Sequence, residues 1–126
     1  MSIIKVDYGS VSGGGASDSG IETLSTSANT TVNLSFAPKA IYYTTQDTSG
    51  TGATYYMMVW WSADNPTKYC YMRSDTLAGK IATVGVVDTG GNPDRGELMD
   101  VGSNYFEVGH CDSTGFGTTL NWYAYG

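Results

Sequence analysis

Apolar and polar positions alternate along this chain in short runs of period two. In residues 31–36 (TVNLSF), Val32, Leu34 and Phe36 fall on one face of an extended segment, with Thr31, Asn33 and Ser35 on the other. Pro38 then interrupts pairing, because it has no N–H to donate, and residues 39–46 (KAIYYTTQ) begin a second strand. Residues 53–61 (ATYYMMVWW) are the most hydrophobic stretch; their adjacent Tyr and Trp pairs favour a strand over a short helix. Further strands are expected at 67–73 (TKYCYMR), 80–87 (KIATVGVV), 97–101, 105–109 and 118–125. Gly85 within residues 80–87 marks a bulge or a close approach. In the last, Leu120, Trp122 and Ala124 share the face assigned to the core, leaving Asn121, Tyr123 and Tyr125 opposite.

Turn residues punctuate these runs at 47–52 (DTSGTG), 62–66 (SADNP) and 88–94 (DTGGNPD). Residues 74–79 offer at most one helical turn, and no stretch keeps helical periodicity. About eight short strands joined by Gly-rich turns predict an all-β chain, an antiparallel β-sandwich or jelly-roll-like domain. Residues 9–20 (GSVSGGGASDSG) have almost no large side chains, so burial offsets little of the entropy lost on ordering them. They are expected to be a flexible connector after a short strand at 3–8. Residues 1–20 then form an N-terminal strand with a flexible Gly/Ser-rich arm, and residues 21–126 the sandwich domain.

Composition narrows the function classes. A chain of 126 residues, 40% hydrophobic and 14% charged, can build one core and is not an acidic disordered tail. Six Lys plus Arg stand against twelve Asp plus Glu, a net charge of -6. Lys5, Lys39, Lys68, Arg73, Lys80 and Arg95 are scattered, whereas nucleic-acid binding needs a concentrated positive field. No apolar run approaches membrane-spanning length and no secretory signal is visible, so folding in a reducing cytoplasm without membrane insertion is expected. Cys70 and Cys111 are too few for a disulfide framework and are expected to be free and mostly buried.

Candidate chemistry is sparse. His110 and Cys111 are neighbours, so in a strand they point to opposite faces and do not converge on a metal or form a nucleophile–base pair. Asp88, Asp94, Glu97 and Asp100 flank a Gly-rich turn and offer oxygen ligands for calcium, but without EF-hand spacing. The glycines of 9–20 lack the Lys and Ser/Thr of a phosphate loop, and no GxSxG elbow is present. The expectation is a protein that is not an enzyme and takes no cofactor.

Aromatics are the informative feature. Trp60 and Trp61 are adjacent and should face opposite ways, as should Tyr42 with Tyr43 and Tyr55 with Tyr56. Trp60, Trp61, Tyr123 and Tyr125 are therefore candidates for interface or ligand contact, and Phe36, Phe106, Leu120 and Trp122 for the core.

The chain end, Trp122-Tyr123-Ala124-Tyr125-Gly126, resembles the Trp-Tyr-Ala-x-Gly closing strand of small β-sandwich domains in bacteriophage and prophage virion proteins, especially tail-fibre or receptor-binding components. Their Phe-x-Pro-Lys followed by a hydrophobic strand is matched by Phe36, Pro38, Lys39, Ala40 and Ile41. Residues 104–108 (NYFEV) sit where that pattern begins a strand with Gly-Phe, here with Tyr105 before Phe106. The resemblance spans roughly residues 30–126. It implies a structural component of a phage virion, tail- or capsid-associated and assembled in the host cytoplasm, with copies of itself and other virion proteins as partners. The alternative is a module binding a cell-surface glycan at a tail tip. It carries over no catalytic residues.

Overall fold

Among the described residues, nine antiparallel strands emerge when the extended runs pair. The computed structural model describes residues 15–46, 56–74, 83–91, 96–111 and 119–126. The strands are β1 (Ser17–Thr23), β2 (Thr30–Asn33), β3 (Ala40–Gln46), β4 (Tyr56–Ser62), β5 (Lys68–Ser74), β6 (Thr83–Asp88), β7 (Leu98–Val101), β8 (Tyr105–Val108) and β9 (Thr119–Tyr125). Six form one sheet in the order β1-β9-β3-β4-β5-β6, and three form a second in the order β2-β8-β7. The chain is thus an antiparallel two-sheet β-sandwich, with no helix among the described residues.

The register decides which side chains meet. Gly20, Trp122, Tyr43, Val59, Tyr71 and Gly85 stand opposite one another in turn, one from each of the six strands. Partners directly across an antiparallel pair share a face, so this row points toward the small sheet. Ile41, Val59, Trp61, Leu120, Trp122 and Ala124 on the inner face are buried with Val32, Leu98, Phe106 and Val108 of the small sheet. An aromatic group locks the two layers together: the Tyr43 ring stacks on Phe106 at 6.3 Å, and Phe106 meets Trp122 edge-on at 5.7 Å. Each large apolar side chain so buried contributes about 1.5–3 kcal/mol. The buried Tyr43 hydroxyl is satisfied, donating to the Gly96 carbonyl at 2.7 Å. Gly96 has φ +85, and a Cβ there would press on the Thr45 methyl at 2.9 Å, so two independent constraints select glycine.

The structure corrects the expected N-terminal boundary. Residues 17–20 belong to β1, which pairs with β9 at every position from Ser17↔Tyr125 to Thr23↔Thr119. Residues 17–20 carry no large apolar side chain, and they are held here because the neighbouring strand supplies the bulk. The Trp122 indole lies across Gly20, where a Cβ would come within 2.9 Å of three ring atoms. The pairing is extended by Gly126 N–H donating to the Ala16 carbonyl at 2.8 Å. The strand expected at 3–8 and residues 9–14 lie outside the described residues.

Other elements match to within a few residues. The first period-two run ends as a strand at Asn33, after which Leu34 N–H donates to the Asn104 carbonyl and its side chain stays buried. β4 closes a turn with β5 in which the Trp61 indole N–H donates to the Pro66 carbonyl at 3.0 Å. Gly85 is a close-approach point, since a Cβ would meet the Tyr71 ring at 3.1 Å. Residues 74–79, expected to offer at most one helical turn, fall largely outside the described residues.

Candidate functional site

The two outer faces of the sandwich differ in kind. On the small sheet, the register turns Thr31, Asn33, Asp100, Tyr105 and Glu107 outward. That face is polar and acidic: the Tyr105 hydroxyl donates to Asp100 Oδ2 at 2.6 Å, and Asn29 Nδ2 donates to Glu107 Oε1 at 3.2 Å. The bond to Asp100 also raises the Tyr105 pKa, because it stabilises the protonated phenol.

On the six-stranded sheet the outward row runs Ser19, Tyr123, Tyr42, Trp60, Cys70 and Val86, one residue per strand. Parallel to it lie Ile21, Asn121, Thr44, Met58 and Met72. A third row begins Ser17, Tyr125, Ala40 and Ser62, and ends at Lys68 and Asp88. Ile21, Trp60, Val86, Tyr123 and Tyr125 are exposed large hydrophobics, with Ile21 at 70%. Lys68 and Asp88, the charged side chains of this face among the described residues, are bonded to each other at 2.6 Å at its edge. In a chain of net charge -6, the described residues of this broad face thus carry one mutually neutralised ion pair. Depletion of charge with enrichment of Tyr, Trp and Met marks the centre of protein interfaces.

The aromatics of this face lean on one another. Tyr42 and Trp60 lie 5.4 Å apart with a 35° tilt, and Tyr42 and Tyr123 6.0 Å apart at 24°. At such separations the rings partly overlap rather than spreading side by side as a flat platform. Beyond Trp60 the row drops to Cys70, and this step opens a notch of about 190 Å³ lined by Trp60, Ser62, Asn65, Lys68, Cys70 and Val86. A second hollow of about 190 Å³ lies along the inner face of β5, lined by Met57, Tyr69, Tyr71, Arg73, Val87 and Glu97. Burial, then the Glu97 charge, pushes the Tyr69 phenol well up, and burial does the same to Tyr43. Both hollows are below the roughly 300–1,000 Å³ of pockets that enclose small-molecule ligands.

The residues singled out in the sequence divide accordingly. Trp60 is 39% exposed, and Tyr123 and Tyr125 are also exposed on the same face. Trp61 is corrected: it is 6% exposed and belongs to the core, because its strand parity points it at the small sheet. Phe106, Leu120 and Trp122 are buried, and Phe36 is half-buried against the core edge and beside Gly126. Cys70 is also corrected: it is exposed on the outer face, whereas Cys111 is buried, and the two form no disulfide. Tyr42, Met58 and Met72 join the outer face through the register alone. Their signal in the sequence was parity relative to Trp60.

Of the calcium candidates, Asp88 is bonded to Lys68 and Asp100 to Tyr105 on opposite sides of the sandwich. Asp94 lies outside the described residues. Among the described residues no three His, Cys, Asp or Glu side chains gather as metal ligands, and no helix is long and apolar enough to cross a membrane. His110 accepts the Gly96 N–H through its backbone carbonyl at 3.3 Å. No protein-family model and no curated protein matches the chain.

Proposed function

We propose that this protein is a non-enzymatic structural component of a phage virion, tail- or capsid-associated, assembled in the host cytoplasm through contacts between β-sandwich subunits. The observation that carries assembly is the outer face of the six-stranded sheet. It presents Tyr42, Tyr123, Tyr125, Met58, Met72, Trp60 and Val86, carries one self-neutralised ion pair among its described residues, and contrasts with the acidic outer face of the small sheet. Water contact with such a face is unfavourable at about 25 cal/mol per Å² of apolar surface, so covering it by a subunit contributes directly to assembly. The virion setting is supported by the closing-strand resemblance at Trp122–Gly126 and by the Phe36–Ile41 pattern.

Multi-angle light scattering on the purified chain, with immunodetection in purified particles, tests the proposal. A defined oligomer or a particle-bound chain is the expected result. A strict monomer that never enters particles would defeat it. A second reading, a carbohydrate- or host-surface-binding module at a tail tip, is favoured by one feature: Trp60 walls a notch that also holds Asn65 and Lys68. Glycan-array signal lost on Trp60→Ala would replace the first reading with this one. An array without signal removes it.

A further inference from the structure

We infer that the outer face of the six-stranded sheet pairs with the same face of a second copy of this chain, about a two-fold axis parallel to the strands and midway between β4 and β5. This inference rests on the assembly function proposed above and names its partner and contact. The basis is the order of sizes along the central row. Tyr42 and Trp60 are large, while Cys70 and Val86, the next two positions, are small. A rotation about that axis turns the row end to end, so Trp60 of each copy faces the other's Cys70 and Tyr42 faces the other's Val86. Large side chains meet small ones from β3 to β6.

The notch over Cys70, about 190 Å³ and walled by Trp60 and Val86, is of a size to take one aromatic side chain. Knob and notch are cross-strand neighbours, roughly 5 Å apart, and an isologous contact requires such a self-complementary pair near its axis. In the next row Met58 and Met72 exchange places across the axis, and their flexible thioethers fill irregular gaps. The strands of the two sheets run nearly aligned, as stacked sheets prefer.

Charge and area agree with this occupant. Two acidic chains repel, yet Lys68 and Asp88, the charges of this face among the described residues, neutralise each other within one copy. The overlap covers β3 to β6, a footprint of roughly 20 by 20 Å from strand spacing and rise. With the relief of its Trp, Tyr and Met side chains it reaches about 600 Å² per copy, the lower end for specific interfaces. The contact is therefore reversible, and Tyr123, Tyr125 and Ile21 stay uncovered on the flank for other subunits.

Cys70 supplies the readout, because Cys111 is buried inside each sandwich and native thiol labelling reports Cys70. The experiment follows mass by light scattering and labelling rate with a soluble disulfide reagent from about 1 to 500 μM, the range in which an interface this small dissociates. The expected result is a dimer at the upper end, with Cys70 labelling slowed about tenfold as the free monomer is depleted. Cys70→Trp, which fills the notch, and Trp60→Ser, which removes the knob, should both give monomers with unchanged far-UV circular dichroism. Asn33→Ala on the small sheet should leave the dimer intact. Oligomers whose mass survives both outer-face variants, with Cys70 labelling independent of concentration, would overturn the inference while leaving the assembly proposal standing. A monomer at all concentrations that still enters particles would do the same. A monomer absent from particles would overturn both.

Discussion

Replacing Gly20 with alanine separates a folded first strand from a loose arm. Gly20 has no positive φ, so in a flexible connector the change would be close to neutral, because it restricts the folded and unfolded states alike. In β1 the new Cβ meets the Trp122 indole at 2.9 Å, on a ring that is buried and wedged against Phe106. Relief requires the ring or the edge strand to move, and overpacking of this kind costs about 1–3 kcal/mol. The two arrangements therefore differ by about that amount. Urea unfolding followed by tryptophan fluorescence reads the difference directly: with a slope of about 1.5 kcal/mol per molar, a loss of 2 kcal/mol lowers the midpoint by about 1.3 M. Trp122→Phe should recover part of the loss, because a phenyl ring lacks the indole nitrogen and fused ring that lie over Gly20. Phenylalanine also removes the buried indole N–H, which has no hydrogen-bond partner, so the single change should cost less than ring shrinkage alone implies. A midpoint for Gly20→Ala equal to or above that of the parent would refute the packing of residue 20 under Trp122. Strict additivity of the two changes, to within about 0.5 kcal/mol, would refute it independently.

Trp122→Ala should lose about 3–5 kcal/mol, while Asn121→Ala on the opposite face should shift the urea midpoint little. Tyr43→Phe leaves the Gly96 carbonyl without its buried donor and should lower stability by about 1–2 kcal/mol, measured by the same unfolding curves. The raised phenol pKa values of Tyr43 and Tyr69 fix the sign of the alkaline response. Unfolded tyrosine releases its proton near pH 10 while the folded state retains it, so their contribution is whole below about pH 10 and is lost as pH rises from there toward the folded values. The denaturation midpoint should fall above pH 10, and less steeply in Tyr43→Phe; an equal slope in that variant would contradict the assignment. Lys68→Ala should change stability by less than about 1 kcal/mol, since the ion pair is exposed.

Period two told most of the strands in advance, because alternation is a local property and each strand needs one apolar face whatever it packs against. The same logic placed Leu120, Trp122 and Ala124 together on one side of the final strand. Parity has two phases, however, and a strand such as Trp60-Trp61 is apolar in both. Only the small sheet, by covering the Trp61 side, decided that Trp60 is exposed. Cys70 followed from that choice, since register ties it to Trp60 across the β4–β5 pair. The first strand was illegible for a different reason. Its glycine and serines carry no hydrophobic pattern, and the bulk that makes Gly20 a good strand residue belongs to Trp122, about a hundred positions later in the chain. The outer face is a property of six strands from separate parts of the sequence. No local window contains Tyr123, Tyr42, Trp60, Cys70 and Val86 together, and their step from large to small becomes a surface only when pairing sets them in one row.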